Sequence, residues 1–187
     1  WSMLPAIRPI DHGCSFESAV YIPERKAIVG GLHELGGDRS KLERLQGGGG
    51  GYSSVYDLKN KLIISCGAGY GPTDDVWVHD RAKNERAKKM PALGGRPPKA
   101  ELVPVAYDVG SGKVVALFFD GQNTDVDGTS LVGTWLYDYA ADTWKRMPDG
   151  NLKLEKNTWV YGSPVGYAIN MVYDSHHKAC LLVSRSV

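Results

Sequence analysis

An all-β fold assembled from repeated short strands is what this sequence predicts, and three observations carry that expectation. An aromatic-Asp pair that ends one apolar stretch, followed by a turn and a second apolar stretch, recurs along the chain. It stands as Val55-Tyr56-Asp57 before Leu62-Ile63-Ile64, as Ala106-Tyr107-Asp108 before Val114-Val115-Ala116-Leu117, and as Val172-Tyr173-Asp174 before Cys180-Leu181-Leu182-Val183. The apolar runs are too short and too β-branched for helices. Turn formers are abundant, with 23 Gly and 10 Pro among 187 residues, so strand-like runs are punctuated throughout.

Taken in order, the elements start with Trp1-Ser2-Met3-Leu4-Pro5, which reads as the end of a fourth strand without its beginning (1-5). Residues 14-46 form a degenerate unit: Val20-Tyr21 and Ala27-Ile28-Val29 make a hairpin across Pro23-Glu24-Arg25-Lys26, but little room remains before Tyr52 for two more strands. The segment from Asp38 to Gln46 is read there as one degenerate strand or a short helix, followed by the five-glycine tract 47-51, which suits a close backbone approach or a linker. The unit at 50-91 is complete. Its hairpin turns at Asp57-Leu58-Lys59-Asn60-Lys61, where Asp bonds its own backbone two residues on. Asp75-Val76-Trp77-Val78-His79-Asp80 then alternates as a half-buried third strand, and 84-91 supplies a fourth that ends in Met90-Pro91. The unit at 99-148 repeats the plan with Gly133-Thr134-Trp135-Leu136-Tyr137-Asp138 and a fourth strand, Asp142-Thr143-Trp144-Lys145-Arg146-Met147-Pro148. Arg86 stands where the second copy has Trp144. Residues 164-187 hold the first two strands of a further unit.

Composition excludes more than it assigns. Hydrophobic residues make up 42% of the chain, enough for a substantial core. A net charge of +1, from 22 basic and 21 acidic residues, supplies no field for nucleic acid or acidic membranes. No apolar run is long enough to cross a bilayer. Cys14, Cys66 and Cys180 are odd in number and widely spaced, against a disulfide framework or a zinc site, and are read as buried free thiols. An opening Trp1, with no initiator Met or secretion signal, is what a processed or truncated piece would show.

Tyr56 and Tyr107 lie 51 residues apart, near the period of about 50 that kelch repeats follow. With the Tyr-Asp pairs and the Trp-x-x-Asp third strands, this makes the chain resemble the kelch-repeat β-propellers, especially galactose-oxidase-like kelch repeats. The resemblance is most specific between Tyr52 and Met147. It implies a kelch-type β-propeller with about three to four four-stranded blades. Rings close with about 4 to 8 blades, so the chain is expected to be part of a larger ring, or to complete a ring with blades from the same or another chain. The family's double glycine after the second strand survives only as Gly30-Gly31.

Residues that recur once per blade are expected to pack blade against blade, which places Tyr56, Tyr107, Tyr173, Trp77, Trp135 and Trp144 in the core and makes Asp80 and Asp138 turn formers. Function is then expected in the loops, because sites are grafted onto folds. In such a ring the connections from second to third strand and from one blade to the next emerge on one face. Candidate partner-binding residues there are Tyr70, Arg96, Gln122, Asn123, Asp125, Asp127, Trp159 and Tyr161. Asn123, Asp125, Asp127 and Gly128 match positions one, three, five and six of a calcium loop, but position twelve falls on Thr134, which lacks the closing carboxylate. The preferred reading is a polar loop with no cofactor and no metal; calcium is the alternative. His176-His177 reads as a solvated turn, because adjacent side chains of an extended chain diverge. The glycine tract lacks the Lys-Ser/Thr of a phosphate loop.

The expected function is a non-catalytic interaction module that presents its loops to a protein or polysaccharide partner, with no catalytic residue assigned. The resemblance also implies an alternative, part of an exported carbohydrate-active or copper radical oxidase-like enzyme. The oxidase would need a Tyr-Cys linkage and a histidine set that no local motif supplies. The repeat style is closer to exported bacterial proteins than to cytoplasmic adaptors, which favours an extracytoplasmic location.

Overall fold

Short antiparallel strands joined by tight hairpins build the molecule. The structure is a computed structural model and describes residues 20–30, 33–35, 42–44, 53–67, 73–89, 95–100, 103–119, 129–148, 152–155 and 170–183. Sheet 1 contains β1 (Val20–Ile22), β2 (Ala27–Gly30), β3 (His33–Leu35) and β4 (Leu42–Arg44). Sheet 2 contains β5 (Ser53–Asp57), β6 (Leu62–Cys66), β7 (Val76–Asp80) and β8 (Glu85–Lys89). Sheet 3 contains β9 (Val105–Asp108), β10 (Lys113–Phe119), β11 (Thr129–Asp138) and β12 (Thr143–Arg146), with β13 (Lys153–Glu155) paired to the start of β11. Sheet 4 pairs β14 (Asn170–Asp174) with β15 (Ala179–Val183). Apart from the β11–β13 pair, strands that pair within a sheet are consecutive in sequence. The fold is all-β.

The aspartates explain the hairpins. Asp57 Oδ1 accepts the amides of Lys59 at 3.0 Å and Asn60 at 2.9 Å, and its other oxygen accepts Asn60 Nδ2 at 2.7 Å. Asp80, Asp138 and Asp174 each accept the amides two and three residues on, and Asp108 accepts the amide of Gly110. A carboxylate here satisfies turn amides that no strand can reach. The last residue of each first-to-second-strand turn is left-handed: Lys26, Lys61, Gly112 and Lys178 all have positive φ. Glycine at position 112 enters that conformation without the Cβ clash its lysine counterparts accept.

Alternation along the strands determines how sheets stack. Leu62, Ile64 and Cys66 join Val55, Val76 and Val78 in a core shared with sheet 3, whereas Ile63 and Tyr56 pack with Val20, Ile22 and Val29 of sheet 1. In β10, Val114, Ala116 and Phe118 face sheet 2, and Val115 and Leu117 join Met171, Cys180 and Leu182 of sheet 4. Sheets 2 and 3 therefore each have a rear face toward the preceding sheet and a forward face toward the following one. The first strands come together, β1 beside β5, β5 beside β9 and β9 beside β14.

A tyrosine joins each successive pair. The Tyr107 phenol donates to Asp57 of the previous sheet and also accepts the Lys59 amide at 3.3 Å. Tyr173 donates likewise to Asp108, and Tyr56 to Glu24. In Tyr56-Asp57 and Tyr107-Asp108 the Tyr thus reaches backward, while the Asp receives the next Tyr.

Several expectations need correction. Sheet 1 has four strands, with Ile28↔Leu35 and Glu34↔Glu43 in register, because strands of three residues fit where longer ones do not. The third strand of sheet 3 begins at Thr129 rather than at Gly133, since β13 continues the ladder there. Tyr107, Trp135 and Trp144 are buried, but Tyr56, Tyr173 and Trp77 are only partly so. Trp144 lies edge-on to Phe118 at 5.7 Å and beside Tyr137 at 5.1 Å. The Arg86 guanidinium that replaces it in sheet 2 cannot be buried so deeply and lies 4.1 Å over the Trp77 ring instead. The segments 1-5 and 47-51 lie outside the described residues.

Two outcomes follow from this packing. Trp144→Ala is expected to destabilise the fold by about 3–5 kcal/mol, against about 1–2 kcal/mol for the partly buried Trp77→Ala, as read from chemical denaturation. Burial first, then the acids at Glu24 and Asp57, push the phenols of Tyr56 and Tyr107 up to about 12. A raised folded value means that the stabilisation is complete below the ordinary tyrosine value of 10.0 and is lost as pH rises toward about 12. The denaturation midpoint should be flat up to pH 10 and fall beyond it. Tyr107→Phe should lower stability by about 1 kcal/mol at neutral pH and flatten that alkaline fall.

Candidate functional site

The two ends of the sheets are chemically different. At one end the first-to-second and third-to-fourth strand hairpins are closed by their aspartates, as described above. The longer connections gather at the other end, where backbone bonds tie them together. Thr73, after the β6–β7 connection, exchanges both bonds with Ala100 of the segment linking sheets 2 and 3, at 3.1 and 3.0 Å. In sheet 3, β13 belongs to the connection toward sheet 4 and pairs with the start of β11, Thr129↔Glu155 and Leu131↔Lys153. Both kinds of connection therefore share one end in sheets 2 and 3.

Arg96 is fixed at this end by its surroundings. Gly95 has a φ of 101°, and a side chain there would meet the Trp135 ring at 3.8 Å, so the backbone passes close over the core before Arg96. The guanidinium donates through Nη1 to Asp74 Oδ2 at 3.2 Å. Its side chain is 51% exposed while that of Asp74 is 15% exposed. The mostly covered acid thus anchors an exposed base. Beside it, Lys88 Nζ bonds Asp75 Oδ2 at 2.6 Å, and the Asp75 amide donates to Thr73 Oγ1 at 3.1 Å. The half-exposed planar guanidinium offers a donor fork suited to carboxylates or vicinal hydroxyls.

Of the candidate binding residues, Arg96 is the one placed within the described set. Tyr70, Gln122, Asn123, Asp125, Asp127, Trp159 and Tyr161 lie outside the described residues, and with them the calcium-like loop. Asp74 was the residue that sequence reasoning missed as a partner. Its contact is 22 residues away across the whole β7–β8 hairpin, and nothing in its local sequence distinguishes it from a turn aspartate.

Among the described residues, no three His, Cys, Asp or Glu side chains come together in a way that could hold a metal ion. Cys66 is buried in the core shared by sheets 2 and 3, and burial pushes its thiol up to about 12; Cys180 is raised for the same reason, with Asp108 adding to it. His177 Nδ1 lies 2.6 Å from Asp174 Oδ2 within its own turn. Among the described residues no helix is long and apolar enough to cross a membrane. No protein-family model matches the sequence, and no curated protein matches it.

An exposed ion pair of this kind contributes little to folding. Arg96→Ala is expected to change unfolding free energy by less than about 1 kcal/mol, and its small effect should shrink further in about 1 M salt, measured by denaturant melts. A larger loss would mean that Arg96 holds the 95–100 segment in place rather than serving as a displayed group.

Proposed function

We propose that the chain is a non-catalytic interaction module of the kelch β-propeller type, whose connecting loops engage a protein or polysaccharide partner. In this reading each sheet is a blade, the adjoining first strands β1, β5, β9 and β14 line the axis, and further blades complete the ring. The observation that carries the reading is the gathering of both kinds of connection at one end, through the Thr73–Ala100 bridge and the β11–β13 pairing. Strands there are committed to packing, so what varies is displayed on a fixed platform. Arg96, held by Asp74, supplies a polar contact, and Trp159 with Tyr161 and Tyr70 supply aromatic anchors of the kind that dominate recognition surfaces. Gln122, Asn123, Asp125 and Asp127 complete the polar set. The repeat style favours an exported protein.

Affinity electrophoresis through gels containing soluble β-glucan, galactan or dextran, with chemical crosslinking in a secretome for the protein case, tests the proposal. Retardation or crosslinking that Arg96→Ala and Trp159→Ala each reduce about tenfold, with circular dichroism unchanged, is the expected result. A folded chain that engages nothing in either assay, or engages it equally after both substitutions, would refute the reading.

A further inference from the structure

Three sheet-on-sheet joints among the described residues follow one rule, and both ends of the series leave that rule unfinished. The forward face is set by the residue before the tyrosine and its cross-strand partner: Val20 with Val29, Val55 with Ile64, Ala106 with Val115. All six are buried. Two residues along the second strand, Cys66 and Leu117 extend the same face and are buried too. The equivalent set on sheet 4 is Val172 with Leu181, then Val183. These are 50%, 46% and 57% exposed.

The rear face is set by the tyrosine and its partner: Tyr56 with Ile63, Tyr107 with Val114, Tyr173 with Cys180. Each is buried or partly buried against the preceding sheet. The equivalent pair on sheet 1 is Tyr21 with Ile28, which are 55% and 44% exposed. Among the described residues, sheet 4 therefore displays an exposed forward face and sheet 1 an exposed rear face, and the two do not cover each other.

The hydrogen bonds repeat the pattern. Asp57 and Asp108 each receive the phenol of the following sheet in addition to their own turn amides. Among the described residues, Asp174 is bonded by its own turn alone, the His177 ring and the amides of His176 and His177. Among the described residues, Tyr21, at the equivalent position of sheet 1, is paired with no such acid.

We infer that the chain associates head to tail with a second copy of itself, the forward face of sheet 4 on one copy packing against the rear face of sheet 1 on the other. Val172, Leu181 and Val183 then meet Tyr21 and Ile28 as Ala106, Val115 and Leu117 meet sheet 4 within the chain, and Tyr21 donates to Asp174 of the second copy. The joint is heterologous, and closure at both ends by two copies gives a ring of eight sheets, at the upper limit of the usual range of about 4 to 8. This goes beyond the loop-face reading and stands without it.

Sedimentation and light scattering of the 187-residue chain from low to high micromolar concentration supply the test. The expected mass is twice the 20.4 kDa of one chain. Val172→Lys with Leu181→Lys, and separately Tyr21→Lys with Ile28→Lys, alter exposed residues and should leave circular dichroism unchanged while each reduces the mass to that of one chain. Mixing these two variants should restore a dimer, because one intact forward face and one intact rear face remain between them. Tyr21→Phe should weaken association about fivefold, the value of one hydrogen bond. A parent chain that stays monomeric throughout would overturn the inference, the faces then belonging to other sheets. Dimers that survive either double substitution, or variants that fail to rescue each other when mixed, would overturn it equally.

Discussion

The second strand of each interior sheet is buried on both faces, and the rest of the architecture depends on that constraint. In β10 the consecutive residues Val114, Val115, Ala116, Leu117 and Phe118 are all buried, odd and even positions serving different neighbours. Such a strand has no face to give to water, so it is stable only when sheets stand on both sides. Sheets 2 and 4 meet that requirement for β10, and sheets 1 and 3 meet it for β6 through Ile63 on one side and Leu62, Ile64 and Cys66 on the other. Stacking is therefore a condition for each interior sheet to exist, and the face that a terminal sheet leaves open retains the same chemistry.

Magnitudes rank the contributions. A large side chain taken fully from water stabilises by about 1.5–3 kcal/mol, and the aromatic cluster of Phe118, Trp135, Tyr137 and Trp144 concentrates that effect where sheet 3 meets sheet 2. A tyrosine clamp adds about 1 kcal/mol. It contributes geometry as well, because a phenol reaching one particular turn acid fixes the sliding and rotation of one sheet on the next, which apolar contact alone leaves free. Exposed pairs such as Arg96 with Asp74 rank last in stability, and for that reason suit display.

Much of this was legible in the chain. The Tyr-Asp phrase located the hairpins because its two residues have separate local and long-range jobs that both demand a fixed chemistry. Asp caps its own turn, and Tyr bridges to the sheet before. The third strands at Trp77 and Trp135 were visible from alternation. Sheet 1 was underestimated because pairing is a backbone property, and β3 and β4 hold register over three residues without an aromatic signature. Trp77 was assigned to the core by repetition, yet its environment depends on Arg86, whose charge keeps that corner partly wet. The site was least legible: Arg96 was named from its loop, but the acid that positions it lies a hairpin away, and β13 has no apolar pattern to announce it.

Edges and faces are treated oppositely in this chain, and the contrast bears on how it meets other molecules. The outermost strands of sheets 2 and 3 are charged, β8 reading Glu85-Arg86-Ala87-Lys88-Lys89 and β12 carrying exposed Lys145 and Arg146. Lys89 Nζ lies 5.3 Å from the Tyr139 ring of sheet 3 and Lys88 pairs with Asp75, so the edge of sheet 2 carries charge that opposes another strand. In sheets 2 and 3, edge-to-edge pairing, the usual hazard of exposed strands, is thereby opposed by lysine and arginine. The faces at the two ends of the series expose Val172, Leu181 and Val183 on sheet 4 and Tyr21 and Ile28 on sheet 1. Cations on the edges of sheets 2 and 3, set against apolar end faces on sheets 1 and 4, favour contact at the faces, where the direction of every internal joint already specifies which face meets which.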